Sequence, residues 1–277
     1  ATINVDGLEG EATWEYSTDG GNSWTPGTGT GFELPEGDYA ADAVQVRQTD
    51  AAGNTSGVGN LGAVTIDVTD PVAPVIDSAT DDIDPTGTLG DGDSTNDATP
   101  TLTGTAEANA TVAILANGTQ IGTADADDDG NWSFTIGDAN ALPDGEVDFT
   151  ATATDAAGNV SPASPSFTLN VDTVDPMAPA IDPTNGDIIT GTAEPGSTVT
   201  LTDDAGNAIG DPALVDGDGN WSVTPSDPLA DGDTINATAT DAAGNTSDPA
   251  TAIVDTAAPN AGDNDIEIND GGDGFLN

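Results

Sequence analysis

Short runs in which apolar and polar residues alternate recur along the chain, and three of them end in the same six residues. Val44-Gln-Val-Arg-Gln, Phe149-Thr-Ala-Thr-Ala and Ile235-Asn-Ala-Thr-Ala each lead into Thr-Asp-Ala-Ala-Gly-Asn, at Thr49–Asn54, Thr154–Asn159 and Thr240–Asn245. Alternation with a period of two predicts a half-buried strand, and Ala-Gly-Asn after it is turn chemistry. A second strand is predicted after each turn, over Leu61–Val68, Ser166–Val171 and Pro249–Val254. Asp-x-x-Ala-Pro then closes each unit, at Asp70–Pro74, Asp175–Pro179 and Asp255–Pro259. Hairpin, acidic residue and proline linker therefore repeat as one block.

The second block is the most complete. Its pattern predicts strands over Pro74–Ser78, Thr99–Ala106, Thr111–Ala116, Gln120–Ala124, Trp132–Ile136, Val147–Thr154 and Ser166–Val171. Asn117-Gly118 between two of these is a tight-hairpin signal. The stretch Asp81–Asp97, rich in Asp, Gly, Ser and Thr, reads as a long loop. Seven short strands without a helical period predict an all-β chain of tandem immunoglobulin-like β-sandwiches in a linear array. The boundaries read as an Ig-like domain lacking its first strand over 1–70 and complete domains over 71–175 and 176–255. Residues 256–277 read as a linker, a first strand and an acidic loop. Joining Asn277 to Ala1 gives Asn-Ala-Thr-Ile-Asn, which matches Asn96 to Thr101. Two explanations stay open: one register of a longer tandem array, or a tail that completes the first domain of a neighbouring copy.

Composition sharpens this picture. Among 277 residues there are Lys+Arg 1 and Asp+Glu 50, with no His and no Cys, for a formal net charge of -49. Arg47 is the single side-chain cation. Such charge favours disorder unless something offsets it. Carboxylates without cations are hard oxygen ligands, and divalent ions would relieve their repulsion. The sign of the charge excludes nucleic acid as a direct partner. The chain has no long apolar run and no basic face, which argues against membrane insertion. Its first residues read as a strand and a turn rather than a leader, so the chain reads as a piece of something larger.

In a seven-strand sandwich, connections alternate between the two ends, and this topology groups the acidic residues. Asp70, Glu107, Asp127, Asp129 and Asp155, with Asn159, are predicted to converge where the first unit meets the second. Asp175, Glu194, Asp216, Asp218 and Asp241, with Asn245, are their counterparts at the next junction. Ca2+ accepts six to eight oxygens in flexible geometry, so calcium at the joints is the predicted cofactor; the alternative is a solvated acidic loop. A second acidic set, Asp81, Asp82, Asp84, Asp91, Asp93 and Asp97, could hold an ion within the second unit, and Asp263, Asp265, Asp270 and Asp273 match it in the tail. Asp125-Ala-Asp-Asp-Asp-Gly130 resembles the start of an EF-hand loop, but its twelfth position is Ile136 rather than Glu.

Other signals read as structural. Asn-x-Ser/Thr at Asn54, Asn109, Asn117, Asn131, Asn159, Asn220, Asn236 and Asn245 fits turn asparagines better than glycan acceptors. Trp132 and Trp221, each after Gly-Asn at a strand start, read as core plugs, and Trp14 with Tyr16 defines the apolar face of another strand. Without His, Cys or Lys, the usual bases and nucleophiles are absent. Paired carboxylates are plentiful, but a glycosidase wants a deep aromatic cleft, so no enzyme activity and no small-molecule substrate are expected.

Taken as a set, Asp-Ala-Ala-Gly-Asn, Asp-x-x-Ala-Pro, Gly-Asn-Trp-Ser and Gly-Thr-Ala-Glu resemble the bacterial immunoglobulin-like tandem repeats of giant RTX and biofilm-associated surface adhesins. The first unit, with Trp14-Glu-Tyr-Ser-Thr-Asp-Gly-Gly-Asn-Ser-Trp24, is similar to a variant found in the same proteins. The resemblance implies a secreted, cell-surface protein whose repeats act as extenders, with neighbouring repeats as partners and Ca2+ at the joints. It implies linker and turn aspartates as ligands, matching Asp70, Asp155, Asp175 and Asp241. The first unit departs from the pattern, having Glu9 and Glu11 but no Gly-x-x-Glu.

Overall fold

The computed structural model describes residues 1–257. The opening strand and acidic loop predicted for the tail, with Asp263, Asp265, Asp270 and Asp273, lie outside the described residues. The described chain is built almost entirely of short strands, and its one helix is the single 3-10 turn Asp138–Asn140. It divides into two compact units: Ala1–Ser78, Thr101–Ile136 and Asp148–Phe167 form one, and Ala79–Pro100, Gly137–Val147 and Thr168 onward form the other. The second repeat contributes to both.

In the first unit, Thr13–Ser17 is central to a four-stranded sheet, flanked by Thr25–Pro26 and by Gln45–Thr49, which in turn pairs with Gly59–Asn60. Thr2–Asn4 pairs with Gly31–Glu33, and Gly37–Tyr39 with Val64–Ile66. The run predicted as one strand over Leu61–Val68 is thus shorter and begins late, at Val64. Val5, Trp14, Phe32, Leu34, Val44 and Ile66 form the core of this repeat. Tyr16 stacks on Phe32 with ring centroids 4.1 Å apart. Arg47 lies 3.9 Å over the Trp24 ring while its guanidinium donates to Glu15 at 2.8 Å, so the single cation is used twice.

The same unit holds part of the second repeat. Thr101–Thr105 pairs with Asn131–Thr135, which sets Gly104 opposite Trp132. Thr111–Ala116 pairs with Thr119–Asp125 through the predicted hairpin, where Asn117 and Gly118 both adopt positive φ, and with the end of Gly145–Thr154. Along Gly145–Thr154 the buried residues are Val147, Phe149, Ala151 and Ala153, the period of two read from the sequence.

The second unit contains the third repeat whole. Ile189–Thr192 lies between Ala180–Ile181 and Asn220–Val223 in one sheet. The other sheet runs in the order Ala213–Leu214, Thr198–Thr202, Thr234–Thr240, Ala250–Ile253. Three strands face four, the arrangement of an immunoglobulin-like sandwich. Val199, Leu201, Trp221, Val223, Ile235 and Val254 are among the residues filling the space between them. Each such side chain removed from water contributes about 1.5–3 kcal/mol. Gly191 sits under Trp221, where a Cβ would meet Cζ2 at 2.7 Å, so indole and strand approach only because the position is glycine.

Candidate functional site: the aspartate turns and the joints

The repeated turn is a closed hydrogen-bonded clasp. In Asp155–Asn159, Oδ1 of Asp155 accepts from the backbone N–H of Ala157 at 2.8 Å and of Asn159 at 2.9 Å, while Oδ2 accepts from the Asn159 amide at 2.8 Å. The Asp155 N–H donates to the Asn159 carbonyl, and the Gly158 N–H returns to the Asp155 carbonyl. Gly158 has φ +93, which an L side chain adopts only with strain. Asp-x-x-Gly-Asn is therefore the full requirement: a carboxylate to collect N–H groups, a glycine to turn, and an amide to close the ring.

Read this way, the motif occurs six times rather than three. Asp50–Asn54, Asp127–Asn131, Asp155–Asn159, Asp203–Asn207, Asp216–Asn220 and Asp241–Asn245 all place the Asn N–H on the Asp Oδ1. The copies at Asp127, Asp203 and Asp216 connect other strands and carry different middle residues, which hides them from a search for Ala-Ala. After the three Ala-Ala copies, a serine extends the clasp: Oγ of Ser56, Ser161 and Ser247 accepts from the N–H of Gln48, Ala153 and Ala239. The Asn-x-Ser triplets thus have a structural use.

Hydrogen bonding favours the ionised form of five of these aspartates. The Asn side-chain amide is the main cause at Asp50, Asp155 and Asp203, and the Asn backbone N–H at Asp127 and Asp216; all five carboxyls are held below the ordinary 3.8. Asp19 is held down to about 2, chiefly by the Ser23 hydroxyl. Carboxylates in a chain with one side-chain cation are thus offset by N–H and O–H donors of their own loops.

Two of the six clasps reach further. The Asn159 amide also donates to the Asp67 carbonyl at 3.3 Å, and the Asn245 amide to the Asp172 carbonyl at 2.8 Å. Asp67 and Asp172 both stand three residues before the Asp-Pro of a linker, so a turn of one repeat grips the chain leaving the previous one. Beside the second grip is a cavity of about 150 Å³, lined by Asp172, Glu194 and Asp241 together with Ser94, Asn170 and Ser197.

The predicted ligands are thereby placed. Asp127, Asp155, Asp216 and Asp241 are the carboxylates of clasps. Asp70, Glu107, Asp129, Asp175, Glu194 and Asp218 are exposed. Of the second-junction set, Glu194 and Asp241 line the cavity, joined by Asp172, which the sequence reading did not include. Its signal was available: Asp172 occupies the place in its linker that Asp67 has in the first. Carboxylates and loop carbonyls are the donor chemistry that suits Ca2+. Among the described residues, however, no three acidic side chains stand close enough together to hold a metal ion. Nor is any helix long and apolar enough to cross a membrane.

A profile for a bacterial Ig-like domain matches residues 71–173, and one for a bacterial Ig domain matches residues 176–256. None of the curated proteins matches the chain. Similar solved structures include a biofilm-associated protein domain, at 21% identity over 82% of this chain and 43% of that one, with TM-score 0.29. A tetra-tandem repeat from the extending region of a large adhesion protein matches at 25% identity over 88% and 66%, with TM-score 0.30. A Ca2+-stabilised adhesin with which an Antarctic bacterium binds ice matches at 23% identity over 91% and 66%, with TM-score 0.38. The chain thus spans less than half of the first of these. Residues 71–173 and 176–256 are thus tandem domains of the bacterial immunoglobulin-like type.

Proposed function

We propose that the chain is a non-catalytic extender region of a large bacterial surface adhesin, in which immunoglobulin-like repeats over 1–70, 71–175 and 176–255 hold one another in line outside the cell. The observation that carries this reading is the grip of Asn159 on the Asp67 carbonyl and of Asn245 on the Asp172 carbonyl. A repeat that only displayed a binding surface has no need to tie its turn to its neighbour's exit. Tying it at two successive joints, with the same residue, is what an extender requires.

In this proposal Ca2+ stiffens the first joint, where Asp70 and Asp155 are the candidate ligands. An ion held by groups from two repeats favours the aligned state by its differential affinity for it. Extracellular modules of this kind bind calcium at roughly 10⁻⁴ to 10⁻³ M, so that joint is tight outside a cell and loose inside. Small-angle X-ray scattering in millimolar Ca2+ and then in excess chelator tests this. The expected result is a larger maximum dimension with calcium and a flexible profile without it. Coincident, flexible profiles under both conditions would remove the extender reading.

A second reading is favoured by one feature of the first repeat. Beside Thr2–Asn4 opens a cleft of about 190 Å³ lined by Ile3, Val5, Phe32, Val44, Val46 and Leu61. An extended segment of a second copy, residues 263–277, could enter it and link copies into a filament by strand addition. A peptide of that sequence then binds the chain and raises the melting temperature of the first repeat. Absence of binding removes the filament.

A further inference from the structure

We propose that the segment Asp81–Asp97 is a buttress that fixes the third repeat on the second without a bound ion. The inference rests on the extender reading and names what stiffens one of its joints.

From its composition the segment is an acidic loop, yet it is organised throughout. Gly87–Leu89 pairs antiparallel with Ala79–Asp81, and Ser94–Thr95 pairs parallel with Asn170–Val171. Along Phe167–Val171, the strand that leaves the second repeat, the stitching is continuous. Asp91 Oδ1 accepts from the Thr168 N–H at 2.7 Å, the Asn170 N–H donates to Asp93, and the Asp172 N–H to Thr95. The last of these holds the residue whose carbonyl receives the Asn245 amide.

The base of the segment is bolted by buried carboxylates. Asp81 and Asp97 are 3% and 1% exposed. Asp81 accepts from the Thr95 hydroxyl at 2.6 Å and from the Ile83 N–H at 2.9 Å. Asp97 accepts from the N–H and hydroxyl of Thr99. Buried polar groups satisfied by donors of fixed geometry order the backbone that supplies the donors. The segment therefore has an internal framework of its own.

Its tip lies on the third repeat's turn. A Cβ on Gly244 would stand 2.4 Å from Pro85 Cδ and 3.6 Å from the Asn96 amide nitrogen. The Asn96 amide donates to the Asp84 carbonyl, which closes the tip on itself. So the turn Asp241–Asn245 is held on two sides, by the hydrogen bond to Asp172 and by the wall of Pro85 and Asn96. One contact leaves a pivot, whereas a second contact at another point of the turn restrains it.

The chain has no cysteine, so introduced pairs can be spin-labelled and read by double electron–electron resonance on the full chain. Thr25→Cys with Ser133→Cys spans the first joint, and Ser133→Cys with Ser222→Cys the second. In EDTA the second joint should keep a narrow distance distribution while the first broadens. Pro85→Gly, which lowers the wall, should widen the second roughly twofold toward the independent domain motion that is the default across small interfaces. Gly244→Ala, which pushes the wall away from the other side, should do the same should Pro85→Gly fail to fold. A second joint that narrows only with Ca2+, or is indifferent to both variants, overturns the buttress and leaves the extender reading standing. Broad distributions at both joints, with and without Ca2+, overturn both.

Discussion

The turns Asp155–Asn159 and Asp241–Asn245 have the same sequence and share their internal hydrogen bonds, the second adding one from the Gly244 N–H to Asp241 Oδ1, but they live in different surroundings. At the first joint Ala157 and Gly158 are exposed and the Asn159 amide reaches its carbonyl at 3.3 Å. At the second, Ala243 is 7% and Asn245 6% exposed, and the amide reaches its carbonyl at 2.8 Å. Five residues suffice to write the clasp. What the clasp holds is decided by segments that are remote in sequence, Asp67 in one case and Pro85, Asn96 and Asp172 in the other. Substitutions made in parallel at the two turns therefore separate local from long-range contributions.

The largest contrast is expected from the glycines. Gly158→Ala places a Cβ in open space, so only the left-handed backbone resists it, at about 1–2 kcal/mol. Gly244→Ala, at φ +101, meets the same resistance and also drives a methyl into Pro85. Overpacking adds about 1–3 kcal/mol. Urea unfolding should rank Gly244→Ala well below Gly158→Ala in stability. Equal losses would mean that the Pro85 wall yields freely.

The asparagines come next. Asn245→Ala strips a buried amide and leaves the Asp172 carbonyl and Asp241 Oδ2 short of a donor, which costs about 1–3 kcal/mol. Asn159→Ala removes a longer bond at a partly exposed site, where water replaces the donor, and about 0.5–1.5 kcal/mol is expected. Thermal melts of the two variants test the order. An Asn159→Ala loss as large as that of Asn245→Ala would make the two joints energetically alike and dissolve the contrast.

These contrasts also mark what the sequence made legible. The strand runs were readable because a period of two is local, and Val147, Phe149, Ala151 and Ala153 are buried as the pattern requires. The all-β, immunoglobulin-like class followed from such runs. Two kinds of feature were hidden. The strands Gly87–Leu89 and Ser94–Thr95 carry no alternation of their own, because they form against residues supplied by partners. The use of each carboxylate was hidden as well. A sequence shows that fifty acidic residues lack cations, but not that Asp127, Asp155, Asp216 and Asp241 spend their oxygens on N–H groups two to four residues away. Asp172 and Asp67 contribute carbonyls at the grips, a property no residue type announces.

The smallest effect is the pH dependence of the clasps, and its sign follows from the direction of the shifts. Asp50 and Asp155 have folded values below the ordinary 3.8, the Asn amide being the main cause in both. The contribution of such a group is fully present above the unfolded value and is lost as pH falls through the lower folded value. Protonating Asp155 removes an acceptor from the Asn159 amide, the same amide that grips Asp67, so the first joint should loosen when the pH is brought below 3.8. Protonating Asp50 should relax its own turn alone, because the Asn54 amide is bonded to Asp50. Asp19, held down to about 2, should be among the last to protonate, keeping the Ser17–Ser23 loop ordered after those clasps have opened. Carboxyl carbon NMR titration gives the order of the midpoints, and the spin-label pair across the first joint gives the mechanical consequence. A first joint whose distribution is unchanged between pH 6 and a pH below the measured Asp155 midpoint would show that the Asn159 amide grips Asp67 without help from the Asp155 charge, and that the clasp and the grip are independent devices.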